Sequence, residues 1–311
     1  MFFVLINMVY KNTIKYFLVV GGIKKICKAI IFYAYDNIKR KNLDLSQERV
    51  ISIFDNKLKT ISQDKGISSE LIIHKIHEPL TTSLIIKKLT KGMHCIDIGS
   101  NIGYYAILES SKIGDNGTVW SIEPSPQNFE TLSKNIILNQ RKNIKCYNIA
   151  IGDENGKIDF VISEKSNWSK IKNKIDHIEN GDKIIQVDIM TLDSFSQKNE
   201  IKKVDLLRMD VEGYERNIIE GSINFLEKFK PILMIEVHKM IMGNNRTNQF
   251  LEKLQKMNYE CEYFIPRIFD VPIIADLKDI KNKSIDELLR INKKYGLPDT
   301  FQLVLYHKNN I

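Results

Sequence analysis

Residues 95–105 read CIDIGSNIGYY. An apolar run of strand length ends in Asp97, turns on Gly99 and passes into a helical pattern, the order of a βαβ unit. Working outward, TTSLIIKKL before it reads as a helix closed by Gly92 after Lys91. YYAILESSKIG is a helix ending at Gly114. GTVWSIEP is a second strand, PQNFETLSKNIILN a helix that opens on Pro126, and IKCYNIA a third strand. GKIDFVIS and KIIQVDIM read as antiparallel strands around a polar excursion. VDLLRMD, PILMIEVH, YECEYFI and TFQLVLYH supply further strands, with ERNIIEGSINFLEKF and NQFLEKLQKMN as helices. Short apolar runs alternating with helices define an α/β protein with a mainly parallel sheet, whose ligands bind at the carboxyl ends of the strands. Residues 1 to about 80 read as mostly helical.

The composition sets bounds. The 311 residues, 43% hydrophobic and 27% charged, suffice for one large α/β domain with an extension. The net charge of +8 is spread along the chain with no aromatic-interleaved basic cluster, which speaks against nucleic acid. Cys27, Cys95, Cys146 and Cys261 form no C-x-x-C pair, so neither a zinc site nor a redox pair is indicated, and free thiols fit a cytoplasmic location. MFFVLINMVY, interrupted at Lys11 and Lys15, and the following stretch with Lys24, Lys25 and Lys28 are too short for a spanning helix and do not fit a signal peptide. Two readings remain: a packing helix, or a basic amphipathic helix peripheral to a membrane. No oligomeric state is legible.

The glycine turn narrows the ligand. A dinucleotide fingerprint needs G-x-G-x-x-G, whose second glycine lets the backbone approach a pyrophosphate. Here Gly99-Ser100-Asn101-Ile102-Gly103 has Asn101 at that place. Asp97 at the strand end repels phosphate and suits an ammonium. S-adenosylmethionine carries an ammonium and a sulfonium and no phosphate. Glu123, ending the second strand, suits the two hydroxyls of a ribose, which NAD also has. The bland alternatives are capping for Asp97 and a surface ion pair for Glu123.

RMDVEGYE places Asp210 and Glu212 at the end of the fourth strand, and MIEVH places Glu236 and His238 at the end of the fifth. Gly213 allows a sharp turn. A hydroxyl acceptor needs to lose its proton, and His238 is the natural base, with Asp210 orienting acceptor or cofactor. Glu212 and Glu236 would bind sugar hydroxyls or backbone amides. A lone strand-end histidine is usually structural; three neighbouring acids favour function here. A divalent metal at these acids is possible but not favoured, so no metal ligands are assigned.

CIDIGSNIGYYAIL, GTVWSIEPSPQNFETLSKNIILN, IAIGDENG, TLDSF, VDLLRMDVEGYERNIIEGS and PILMIEVH together resemble the FkbM family of S-adenosylmethionine-dependent methyltransferases. The resemblance runs from about His77 to His238. It implies a Rossmann-like seven-stranded methyltransferase sheet, mostly parallel with the last strand, TFQLVLYH, antiparallel. The domain would occupy 77–311, after a helical extension at 1–76. It further implies that Gly99 to Gly103 embrace the methionine part, that Glu123 holds the ribose and that Asp153 lies near the adenine. Asp153 equally suits an ordinary turn. The acceptor would be a small molecule or glycan, methylated on a hydroxyl. Rivals are a nicotinamide oxidoreductase, disfavoured by Asn101, and a non-catalytic nucleoside-binding module. Trp168, in the polar excursion 163–183, either stacks on a sugar or anchors its loop. Three N-x-S/T matches, at Asn167, Asn245 and Asn282, carry no weight.

Overall fold

The computed structural model describes residues 23–163, 166–172, 182–277, 280 and 282–310. The stretch MFFVLINMVY with Lys11 and Lys15, and most of the polar excursion, lie outside these residues. In chain order the elements begin with α1 (Ile23–Lys41), the hairpin β1 (Val50–Ile53) and β2 (Asn56–Lys59), α2 (Ile67–His74) and α3 (Pro79–Lys88). The alternating core follows as β3 (His94–Ile98), α4 (Tyr104–Ile113), β4 (Thr118–Ile122), α5 (Pro126–Leu138) and β5 (Ile144–Tyr147). Next come β6 (Ala150–Gly152), β7 (Gly156–Ile162), β8 (Lys170–Ile171), β9 (Lys183–Thr191) and α6 (Leu192–Lys198). The chain closes with β10 (Leu206–Met209), α7 (Glu215–Glu220), α8 (Ile223–Phe229), β11 (Ile232–Val237), α9 (Lys239–Met242), α10 (Asn244–Lys256), β12 (Tyr259–Pro266), α11 (Ile285–Lys294) and β13 (Phe301–His307).

Seven strands form one sheet in the order β12-β13-β11-β10-β3-β4-β5. β11, β10, β3, β4 and β5 run parallel, and β13 is antiparallel to both β11 and β12. The strands read as unbroken apolar runs because helices cover both faces of the sheet. β3 is the first strand of this sheet in chain order yet lies inside it, with β4 on one side and β10 on the other. The order therefore reverses between β3 and β10, the switch point where an open α/β sheet leaves a crevice. A second sheet, β6-β9-β7-β8, pairs β7 antiparallel with both β8 and β9 and forms one wall of that crevice.

The N-terminal region departs from the mostly helical reading. Residues 50–59 form a β-hairpin, held to α5 by Asn135 and Asn139. Each amide bridges the chain of β2: Asn139 to Lys57 N and O at 2.8 and 2.6 Å, Asn135 to Lys59 N and O at 2.6 and 3.1 Å. Ile51, Ile53 and Leu58 share a core with Leu132 and Tyr105, so one hydrophobic core crosses the 76/77 boundary read from sequence. The signal was the β-branched alternation of VISI, two residues from NKLK. ERNIIEGSINFLEKF is two helices, not one, with the break at Gly221. There the backbone packs against Gly152, and Asp193 accepts the first amides of α8, Phe225 N at 2.7 Å and Asn224 N at 3.3 Å. α3 ends at Leu89, before Gly92, because Leu89 already turns to extended backbone.

Candidate active site

The cleft at the switch point encloses about 760 Å³ including its mouth. Its floor is the glycine turn. Gly99 has φ of +80°, and a Cβ there would run into the carbonyl of Asp210. Asn101 takes φ of +51°, a left-handed conformation that asparagine tolerates, and caps its own turn through Oδ1 to Ile102 N at 2.8 Å. Ser100 Oγ donates to Asp97 O at 2.9 Å and accepts from Ile122 N at 3.2 Å, locking the turn to β4. Gly103 opens α4 with φ of +91°, and a Cβ there would meet Leu132 at 2.6 Å. Its role in the geometry is to let α4 approach α5.

Glu123 ties the glycine turn to the segment after β4. Its carboxylate accepts from Asn101 N at 2.8 Å and Ser125 N at 2.9 Å. Burial raises its pKa to about 7, against those two amides and Asn128, which pull it down. With Asn128 Nδ2 donating to Oε1 at 3.5 Å, three of its four lone-pair positions are spoken for, and the fourth, on Oε2, is left over. The adjoining wall is apolar: Ile122, Ile149, Ala150, Ile151, Phe160 and Ile171. Phe160 and Ile171 come from the second sheet, and such a wall suits the flat apolar faces of a nucleobase.

Of the sequence candidates, Gly99, Ser100, Asn101, Glu123, Asp210 and Glu212 line the cleft; Asp97, Gly103, Asp153 and His238 do not. Asp97 is fully buried. Its Oδ1 takes Arg208 at 2.9 Å, and its Oδ2 has no hydrogen-bond partner. Asp153 is held on the far side of β6 by Tyr214 Oη at 3.1 Å and Asn217 Nδ2 at 2.9 Å. Trp168 is exposed and also stands outside the cleft lining; its loop is pinned instead by Asp64, which accepts from Ser166 N at 3.0 Å and Ser166 Oγ at 2.9 Å.

Three groups absent from the sequence reading organise the other end. Arg208, buried in β10, spans Asp97 and Asp210 (3.1 Å) and stacks on the Tyr105 ring at 4.0 Å. Two opposed carboxylates and an aromatic face offset its burial and keep it charged. Glu78, at a left-handed φ of +42° before α3, receives Tyr105 Oη at 2.8 Å and Arg267 Nε at 3.1 Å. Arg267 lies 3.5 Å from Glu236 as well. The two acids sharing it diverge. Burial would raise both, but His77, Arg267 and Arg208 hold Glu78 down at about 2. Glu236, the more distant partner, is pushed well up by burial and by Asp210 and Glu78. A buried arginine in an apolar strand was a signal available from sequence, since such a charge demands acid partners.

Glu212 turns into the cleft at a φ of +51°, immediately before Gly213 at +99°. Burial, with Asp210 and Glu215 adding, raises its pKa to about 7 against the pull of His238. His238 sits behind it, Nε2 3.2 Å from Glu212 Oε2 and Nδ1 2.6 Å from Glu215 Oε1. Burial would lower the histidine's pKa; Glu212 and Glu215 outweigh it and hold it well above the usual range. Glu215 is fully buried and also accepts from Gly213 N at 3.0 Å. Potential ligand atoms of Asp210, Glu212 and His238 lie within 4.8 Å of one another, as do those of Glu78, Asp210 and Glu236. The chain meets the charge of each acid itself, through Arg208, Arg267 and His238.

Comparison with known proteins fixes the class. A family model described as Methyltransferase FkbM domain matches residues 97–261, more than half of the chain. The protein belongs to that family. A second model, Protein-L-isoaspartate(D-aspartate) O-methyltransferase, matches residues 22–159. Among curated relatives, Methyltransferase 1 of Beauveria bassiana is 25% identical over 142 residues, covering 40% of this chain and 57% of the relative. Hexuronic acid methyltransferase AglP of Haloferax volcanii is 24% identical over 176 residues, 55% of this chain and 69% of AglP. The 2-O-methyltransferase NoeI of Sinorhizobium fredii is 26% identical over 149 residues, 44% of this chain and 60% of NoeI. The alignments thus span between about half and about two thirds of these relatives. Among the described residues no helix is long and apolar enough to cross a membrane.

Proposed function

We propose that the protein is an S-adenosylmethionine-dependent O-methyltransferase acting on a hydroxyl of a sugar or glycan. The observation that carries this reading is the meeting of Glu123 with the Gly99–Gly103 turn at the switch-point cleft, with Asp210 and Glu212 on the next strand end. The residues fit the donor. Its diol falls to Glu123, on Oε2, and its base to the wall of Phe160 and Ile171. Its aminoacyl part falls to the Gly99–Asn101 backbone and Asp210. Asp97 acts from behind, holding Arg208, which in turn holds Asp210. Asp153 stays near the adenine end, acting through β6. When bound, the donor supplies an electrophilic methyl group.

The chain's own part is to orient the acceptor and take its proton. Asp210 orients. The base function assigned to His238 from sequence passes, in this geometry, through Glu212, which faces the cleft. Glu212 accepts the hydroxyl proton near neutral pH, and His238, steadied by Glu215, adjusts its charge from behind. A hydroxyl, whose own pKa lies far above neutral, needs its proton taken at the moment of attack.

The name of AglP supports a sugar acid as acceptor, and that of NoeI, a 2-O-methyltransferase, supports a hydroxyl oxygen. The match to the isoaspartate methyltransferase model supports a carboxylate as the second reading. The proposal also puts the enzyme in the cytoplasm, with 1–76 as an extension to the methyltransferase domain. Calorimetric titration of S-adenosylmethionine, S-adenosylhomocysteine and NAD, with Glu123→Ala alongside, tests the donor. The first two bind and the variant loses them; binding of NAD alone sinks the proposal. Mass spectrometry of mixtures with methyl glucuronoside, methyl glucoside and an isoaspartyl peptide then separates sugar from carboxylate.

A further inference from the structure

The helix α1 shows apolar side chains on two opposite faces. Inward, Ala29 and Phe32 pack on Phe269, Val271 and Ile274. Outward, at helical spacing, stand Ile31 (66% exposed), Tyr35 and Ile38 (61% exposed). A stripe of this kind normally has something over it. Charge says what. Lys28, Lys39 and Lys41 are exposed along the same helix. Its one acid, Asp36, is turned inward onto Arg40 at 2.7 Å and His74 at 2.8 Å. The solvent side of α1 is therefore apolar and purely basic, on a chain that carries +8 overall.

The loop beneath α1 adds a second feature. Ile273 is 66% exposed and holds a φ of +74°, a conformation that a β-branched residue adopts only under constraint. Leu277 is exposed nearby, with Asp276 between them. This loop starts at Arg267, whose guanidinium pairs with Glu78 and Glu236 at the acceptor end of the cleft.

We infer that the outer face of α1, with Ile273 at its flank, docks on a bilayer surface rich in anionic phospholipid. Ile31, Tyr35 and Ile38 enter the headgroup boundary, and Lys28, Lys39 and Lys41 meet lipid phosphates. Each lysine near such a surface contributes a several-fold gain in partition that salt removes, whereas the apolar stripe gives a part that salt does not remove. The inference stands on exposed residues and charge, and does not rest on methyl transfer.

Flotation of the full chain with phosphatidylcholine vesicles, with and without a third of phosphatidylglycerol, at low and at half-molar salt, tests it. The chain floats with the anionic vesicles and is largely released by salt. Ile31→Asp with Ile38→Asp lowers the bound fraction at least about tenfold, as does Lys28→Ala with Lys39→Ala at low salt. Folding of the variants is checked by their thermal midpoint and their circular dichroism. Failure to float overturns the inference. So does unchanged flotation of the folded Ile31→Asp, Ile38→Asp variant, since another segment would then make the contact. A dimer in light scattering that the same substitutions disperse would assign the face to a second copy and also overturn it.

Discussion

Glu123→Gln probes the donor site without any ligand. In the native chain Glu123 titrates near 7, against 4.5 for an ordinary glutamate. The folded state therefore holds its proton more tightly than the unfolded chain does. By linkage, that contribution to stability is full below the unfolded value and is lost as pH rises through the folded one. Over that window of about 2.5 units the loss is roughly 3 kcal/mol, at 1.36 kcal/mol per unit. Glutamine removes this dependence. It also has one oxygen where the carboxylate offered two, so the amides of Asn101 and Ser125 cannot both be satisfied, at a cost of about 1–2 kcal/mol. The variant is thus less stable than wild type near pH 5 and equal or more stable near pH 8. Urea unfolding across that range measures it. Other titrating groups are common to both chains and largely cancel in the difference, Asp97 apart, whose charge Glu123 feels. A stability difference that stays flat between pH 5 and 8 would refute the reasoning. Under the proposed function, ribose hydroxyls donating to Glu123 favour its ionised form. Donor binding near pH 6.5 therefore releases a proton, visible as a buffer-dependent enthalpy.

The other predictions bear on the frame around Glu123 and on the acceptor end. Gly99→Ala forces a side chain into a left-handed turn and against the Asp210 carbonyl, so it destabilises by about 2 kcal/mol or more in urea and weakens donor titration more than tenfold. Arg208→Met leaves Asp97 a buried acid without its cation and lowers stability by about 3–5 kcal/mol in urea. Glu215→Gln removes one of the three carboxylates, with Glu212 and Glu236, that hold the His238 pKa up, so the imidazole titrates lower by nuclear magnetic resonance. The stability that His238 contributes below its ordinary pKa is then lost at lower pH than in wild type. Under the proposed relay, kcat falls with little change in KM.

How much of this was legible in the sequence depends on how far each contact reaches along the chain. The sheet was legible because each of its strands is a contiguous apolar run, and the parallel frame puts the ends of β3, β4, β10 and β11 at one edge. Any acid at the end of such a run could be assigned to the crevice by counting, which is how Glu123, Asp210 and Glu212 were found. Counting fails once side-chain direction decides. Asp97 and Asp210 both stand at strand ends, yet one is sealed beneath Arg208 and the other lines the cleft, because β3 and β10 pair with Asp97 beside Arg208. His238 shares a strand end with Glu236 but faces back into α7, where Glu215 waits; the fold of the Glu212-Gly213 turn sets that, and no periodicity reports it. The end built around Glu78 and Arg267 was least legible of all. Glu78 and Arg267 stand far apart in the chain and meet only because Asp270 accepts the amides of Leu80 and Thr81 and so draws the loop after β12 against the start of α3. Such a contact leaves no local pattern. The donor side is built from turns, whose chemistry is written in consecutive residues, and the acceptor side from segments that only the finished sheet brings together. Under the proposed function, the acceptor can therefore change by altering a few loop residues while the donor turn stays fixed.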